Sequence, residues 1–320
     1  MSNFFDFPEK PVLAKPSEDS NWGLTIFSIV LFIGVFLLFF DHEFEFITHL
    51  VLVLIIHEFG HFIAMKWFGY KSVKMLFIPL MGAFVQGFKD KYSQKESLIV
   101  VLAGPIPGVI FGTIFFFTAN YFEVPSLLNL SVLFLFLNSI NLLPLDPLDG
   151  GQMVKLLAKK RRDLFLLIFA FVSSLVLIVA GFLLEVWVLT IFGFLMGVRV
   201  RNLQKNLQQR KELEDKNIVF ESTYQDLSNE EYAALRSYVL ENNTLLRKYI
   251  TYSDNIDEAV IASHVQALLV APVRYDVSIL GKISVISVWF FATIALPMLL
   301  FLLLALDYIS IDWYFKTPII

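Results

Sequence analysis

Apolar residues fall in blocks long enough to cross a bilayer, which takes about 20 predominantly apolar residues. The first block is 23–40 (GLTIFSIVLFIGVFLLFF). It follows an acidic, Pro-bearing segment, so it starts too late for a cleaved signal peptide. The second, 46–66, is interrupted by His57, Glu58 and His61. The third and fourth are 97–118 and 127–145. Blocks 163–182 and 184–198 form a hairpin around Glu185, and 280–305 is the last. The pattern predicts an all-α polytopic membrane protein of about seven transmembrane helices.

Two stretches break this pattern. Residues 69–96 contain short β-prone runs punctuated by Pro79, Gly82 and Gly87. They predict one or two strands at the membrane boundary, a small membrane-associated β element over 72–90. Residues 199–278 are polar. Within them Ser228 and Glu231 have capping-box spacing, which opens a helix with Tyr232, Leu235, Tyr238 and Val239 on one side. A second helix runs from about Ile256 to Val270 and stops before Pro272. The expected organisation is an N-terminal segment (1–22), a transmembrane region (23–198), a helical domain (199–278), a last transmembrane helix (279–306) and a tail (307–320).

Composition agrees with the spans. The 320 residues are 57% hydrophobic and 17% charged, with 34 Phe; soluble domains are nearer 45–50% and 25%. So much apolar surface excludes disorder. Cys is 0, which removes disulfides, thiolate metal sites and Cys nucleophiles. A net charge of −4 gives no footprint for nucleic acid. Lys and Arg gather on alternate sides of successive blocks. Lys66 to Lys95, Lys155 to Arg162 and Arg199 to Lys216 follow blocks two, four and six, whereas 41–45, 120–126 and the fifth–sixth turn carry none. By the positive-inside rule the N-terminus is cytoplasmic and the C-terminus is not.

Three ionisable groups inside block two are expensive in hydrocarbon and read as functional. His57 and His61 stand four residues apart, so a helix puts them on one face. Two neutral imidazoles there hold one zinc. Glu58 is then placed to serve as general base towards a water, and later as acid to a leaving amine. This is the HExxH pattern of zinc-dependent peptidases. A third ligand is needed. His42 and His49 lie towards the outer side, and His264 is in the polar region. Carboxylates are closer: block four ends NSINLLPLDPLDGG, where Pro144 and Pro147 break the helix and Gly150-Gly151 permit a tight turn. Position alone leaves Asp146 and Asp149 both open.

HEFGH in block two together with NLLPLDPLDGG after block four resembles the site-2 proteases, the M50-like intramembrane zinc metalloproteases. The family's second motif, Asn-x-x-Pro-x-x-x-Leu-Asp-Gly, falls on Asn141, Pro144, Leu148, Asp149 and Gly150. The resemblance implies Asp149 as the third zinc ligand and Asn141 as a residue holding the substrate backbone. It also implies that the 79–87 stretch forms strands that hold an extended substrate, with Gly82, Ala83 and Phe84 as candidate contacts. Ala103-Gly104-Pro105 fits as well, and the match covers about 45–160. No PDZ domain is recognisable, and Asp146 stands where the family often has Pro.

The resemblance implies transmembrane-helix protein substrates, cut in regulated release or in clearing signal-peptide remnants. Region 199–278 suits a regulatory partner. Two rivals remain at this stage. An ion or solute transporter using the buried charges predicts metal-independent flux; an inactive protease-like scaffold predicts binding alone. In block three, Gly104, Gly108 and Gly112 share a face that allows close helix approach, and Pro105 and Pro107 are positioned to kink it.

Overall fold

The computed structural model describes residues 7, 9–13, 22–39, 44–79, 82–158, 162–244, 246 and 258–311. The chain divides into two compact units. An apolar unit comprises the described residues of 18–89, 93–201 and 275–320; a polar unit comprises those of 1–17, 90–92 and 202–274.

In the apolar unit, α1 (Trp22–Phe39) precedes α2 (Phe44–Trp67). A hairpin of β1 (Lys71–Ile78) and β2 (Gly82–Phe88) follows, paired antiparallel with Phe77 opposite Ala83 and Met75 opposite Val85. Val73, Met75 and Phe77 alternate into the core, as a strand with one covered face requires. α1 also covers the outer edge of β1: Thr25 Oγ1 donates to the Met75 carbonyl (2.8 Å), and the Phe77 N–H donates to Ser28 Oγ (3.1 Å).

The third apolar block lies within one candidate span, 94–122, built of two helices that meet at Gly104. α3 (Gln94–Ala103) is capped by Ser93, whose Oγ accepts from the Glu96 N–H. It ends at Gly104, and Pro105, with no N–H to continue the ladder, starts α4 (Pro105–Phe122). α4 lies against α5 (Pro125–Asn141). The expected glycine face is divided between two neighbours. A Cβ on Gly104 would overlap the His61 ring of α2, whereas one on Gly108 or Gly112 would meet Asn138 or Leu135 of α5.

α5 stops at Asn141, not at 145. Residues 142–148 are unwound, and α6 (Asp149–Leu157) starts on the aspartate. Gly150 and Gly151 are needed for space. A Cβ on Gly150 would overlap the Leu142 carbonyl and one on Gly151 the Leu145 carbonyl. Neither residue has a positive φ, so contact rather than turn geometry demands glycine.

α7 (Arg162–Leu183) turns at Glu185, in the left-handed region at φ 58°, into α8 (Trp187–Asp215). Ser174 Oγ donates to the Gly193 carbonyl across this hairpin (2.7 Å). α8 continues without a break well past the expected end at 198, and its residues from 202 belong to the polar unit. The last apolar block holds α11 (Ile279–Phe290), one π-helical turn (Phe291–Ala295) and α12 (Leu296–Ala305). Pro297, unable to donate, sits just after the π turn. Among the described residues, four continuous helical stretches are long and apolar enough to cross a membrane: 44–67, 94–122 (α3 with α4), 163–183 and 279–305 (α11 to α12). Two shorter apolar helices cover 22–38 and 125–141.

In the polar unit, α9 (Asn229–Asn242) opens with the expected capping box: Ser228 Oγ accepts from the Glu231 N–H, and the Glu231 carboxylate accepts from the Ser228 N–H. Tyr232, Leu235, Tyr238 and Val239 are its buried face, packed with Ile261, Ala262 and Val265 of α10 (Glu258–Leu268). The expected start of that helix at Ile256 lies outside the described residues. Lys10 ties the N-terminal segment to this unit. Its ammonium donates to the carbonyls of Tyr224, Gln225 and Leu227 at 3.0, 2.7 and 2.5 Å.

Candidate metal centre

The centre starts from a one-turn spacing. α2 stacks His57 and His61 on one face, both buried, with their Nε2 atoms 3.1 Å apart. Asp149, at the N-terminus of α6, brings Oδ2 to 3.0 Å from His57 Nε2 and 3.3 Å from His61 Nε2. The unwound 142–148 stretch and the close packing of Gly150 and Gly151 let the carboxylate reach a helix nearly a hundred residues earlier. Asp149 is therefore the carboxylate that joins the histidines, as the resemblance implied.

The other ring nitrogens show what the Nε2 atoms present. His61 Nδ1 lies 2.8 Å from the Val100 carbonyl, which can only accept. Nδ1 therefore carries a proton, and in the neutral ring Nε2 offers a lone pair. His57 Nδ1 lies 2.8 Å from Asn138 Oδ1. Asn138 Nδ2 donates to the Phe134 carbonyl (2.7 Å), which turns Oδ1 towards the histidine and fixes the same tautomer there. Gly108 leaves room for the Asn138 amide. Two imidazole lone pairs and a carboxylate oxygen thus crowd one point.

Such a set repels itself unless a cation lies between its members. Four-coordinate zinc with bonds of about 2.0–2.1 Å separates its ligands by roughly 3.3 Å, close to the spacings observed. Two neutral imidazoles, one carboxylate and outer hydrogen bonds that fix both tautomers are the donor set of a catalytic zinc site. The residues present fit zinc.

Glu58 follows His57 on α2; it is buried and interacts electrostatically with His61, His57 and Asp149. Asn141 is the last residue of α5, half-buried at the start of the unwound stretch. Gly82, Ala83 and Phe84 lie on β2, which packs on α2. His49 meets Ser126, and His264 Nδ1 donates to Val260 within α10. His42 lies outside the described residues.

Asp146 is not a ligand and does not face solvent. It is 1% exposed, with Oδ1 2.8 Å from the Lys155 ammonium. Asn138 and Val100 escaped the sequence reading. A backbone carbonyl leaves no trace in sequence. An asparagine seven residues after Ser131 in an apolar block was the one available sign of an inward polar stripe on α5.

Residues 45–131 match the profile of Peptidase family M50. The stretch that carries the first motif is thus similar to that family over 45–131. It holds His57, Glu58 and His61 and ends before Asp149, whose place rests on the geometry above. A zinc metalloprotease of Methanocaldococcus jannaschii is 31% identical over 113 residues, 34% of this chain and 32% of that protein. Stage IV sporulation protein FB of Bacillus subtilis is 29% identical over 119 residues, 35% of this chain and 40% of that protein. The chain thus spans about a third of the length of the curated relatives it matches. A solved site-2 protease from Methanocaldococcus jannaschii aligns with TM-score 0.42 and 23% identity, over 55% of this chain and 86% of that one.

Proposed function

We propose that this chain is an intramembrane zinc metalloendopeptidase that hydrolyses peptide bonds within or near transmembrane helices of membrane-protein substrates. One observation carries the reading: the Nε2 atoms of His57 and His61 and Oδ2 of Asp149 converge beside buried Glu58. The M50 match over that segment supports it.

His57, His61 and Asp149 would hold a zinc ion, which when bound would supply Lewis acidity and a water of lowered pKa. Glu58 takes the proton from the attacking water and delivers it to the leaving amine nitrogen. Val100 and Asn138 keep both histidines in the ligating tautomer. Asn141 binds the substrate backbone at the mouth of the unwound stretch. The substrate must be extended, because a helix occupies its own carbonyls.

The hairpin supports how that extension is held. Met75 and Phe77 turn their backbone polar groups out to α1, so the pairs Met75–Val85 and Phe77–Ala83 are of the kind not bonded between strands. Ala83 and Val85 therefore present N–H and C=O on the outer edge of β2, where an added strand pairs. Gly82 and Phe84 direct theirs to β1 and contribute to that groove by shape alone.

A seven-span arrangement is supported by the four long apolar helices, the two shorter ones and the apolar start of α8. The Lys and Arg alternation supports an N-terminus and active-site opening on the cytoplasmic side, a C-terminus on the other, and a cytoplasmic polar domain that takes a regulatory partner. The deciding experiment is cleavage of a transmembrane substrate in reconstituted membranes. Glu58→Gln abolishes product while zinc stays bound; cleavage at the wild-type rate in that variant removes Glu58 as the base.

A further inference from the structure

The stretch that carries Asp149 is held by a buried carboxylate three residues earlier, and this carboxylate has no part in the chemistry above. Asp146 is 1% exposed. Its Oδ1 is 2.8 Å from Lys155 Nζ on α6, a residue itself buried. Its Oδ2 is 3.6 Å from Arg199 Nε on α8. Its backbone N–H donates to Ser173 Oγ on α7 (3.0 Å). Three helices thus meet at one residue of the loop, and none of the three partners lies in the segment that matches the peptidase profile.

A carboxylate so deep is tolerated only while it is paired, so this contact is not optional for the loop. Lys155 is six residues after Asp149 on the same helix. The Asp146–Lys155 pair therefore closes the loop back onto the helix whose first residue is Asp149, and Ser173 and Arg199 fix that closed unit to the α7–α8 hairpin. Nothing else charged among the described residues pairs with Asp146. A shift of the loop moves Asp149 Oδ2 away from His57 and His61 directly.

We infer that Asp146 is a positioning residue: its buried link to Lys155, Ser173 and Arg199 sets Asp149 as the third ligand of the metal centre. The inference rests on the zinc reading above. It gives the α7–α8 hairpin a role in the centre, that of an anchor for the ligand loop.

The test is a zinc competition titration against a chromogenic chelator, on full-length protein in nanodiscs, beside thermal unfolding of the zinc-free protein. The double variant Asp146→Asn with Lys155→Met removes both charges of the pair together. Ser173→Ala removes one neutral hydrogen bond and is the variant least able to disturb the fold. Zinc affinity falls about tenfold or more in the double variant, the range of outer contacts to metal ligands, and a few-fold in Ser173→Ala. Both keep the zinc-free unfolding midpoint close to wild type, and Lys155→Arg retains wild-type affinity. Folded double and Ser173→Ala variants with wild-type zinc affinity overturn the inference and leave the zinc reading standing. Affinity lost only in step with the zinc-free fold assigns the cluster to stability and overturns it too. A folded wild type that binds no zinc overturns both.

Discussion

At the residue scale the centre depends on which nitrogen each histidine offers, and that is decided outside the HExxH motif. Asn138 holds His57, and Phe134 holds Asn138. Asn138→Leu leaves the His57 proton unassigned and lowers zinc affinity about 10–100-fold, whereas Asn138→Asp, which still accepts at that point, retains most of it; chelator competition reads both. Gly108→Ala pushes on the same amide and lowers affinity in the same direction. The sequence exposed the His57, Glu58 and His61 trio because its spacing is itself the chemistry, one helical turn between imidazoles with a carboxylate beside them, whereas position left Asp146 and Asp149 both open and only the resemblance pointed to Asp149. It could not expose Asn138, because an amide in an apolar helix is equally a helix-packing group. Nor could it place Asp146. That aspartate's partners are 9, 27 and 53 residues away, so only the folded loop reveals a buried ion pair where sequence allowed a ligand, a perturbing acid or a solvated one.

At the element scale, the breaks matter more than the helices. Apolar block lengths located α1, α2 and α7 to within a few residues, since burial in lipid imposes a minimum length. The block at 97–118 concealed the Gly104–Pro105 break, because hydropathy does not register a missing N–H. Block four was read four residues too long for the same reason, although its prolines had marked the end. The hairpin carries its own prediction. Proline at 83 or 85 removes an outward N–H without breaking a β1 pair, so either substitution weakens substrate capture, raising KM with little change in kcat. Proline at 84 breaks the hairpin itself and lowers both. Kinetics on the reconstituted enzyme separate the two cases.

In the polar unit the Ser228–Glu231 box was legible outright because both partners are local. Ser228→Ala costs about 1 kcal/mol of that helix, read in its unfolding transition. Tyr238 donates to Glu212 (2.8 Å), and burial together with that carboxylate pushes its phenol up to about 12. Ionisation is thus harder folded than unfolded. The stability this contributes is complete below about pH 10 and lost as pH rises towards 12. Alkaline unfolding followed by circular dichroism begins in that window, and Tyr238→Phe moves its onset to higher pH.

At the scale of the whole molecule, helices before and after the segment that matches the M50 profile hold the hairpin and the stretch that carries Asp149. α1 covers the β1 edge and leaves β2 as the pairing edge of the hairpin. Trp289 of α11 donates to the Leu142 carbonyl at the start of the ligand-bearing stretch (2.6 Å). The α7–α8 hairpin holds that stretch at Asp146. Topology is testable cleanly because the chain has 0 Cys. A single cysteine at Glu123 reacts with an impermeant thiol reagent from outside intact cells, and one at Gln208 reacts only after permeabilisation. The reverse pattern overturns the proposed orientation.

The proposed peptidase chemistry requires that His57, His61 and Asp149 form one zinc site served by Glu58. Metal content per chain, measured by mass spectrometry on detergent-purified protein, tests it most directly. Wild type and Glu58→Gln are expected to hold close to one zinc, and Asp149→Ala little. Folded wild-type protein that takes up no zinc when zinc is supplied, or Asp149→Ala that holds as much as wild type, contradicts it.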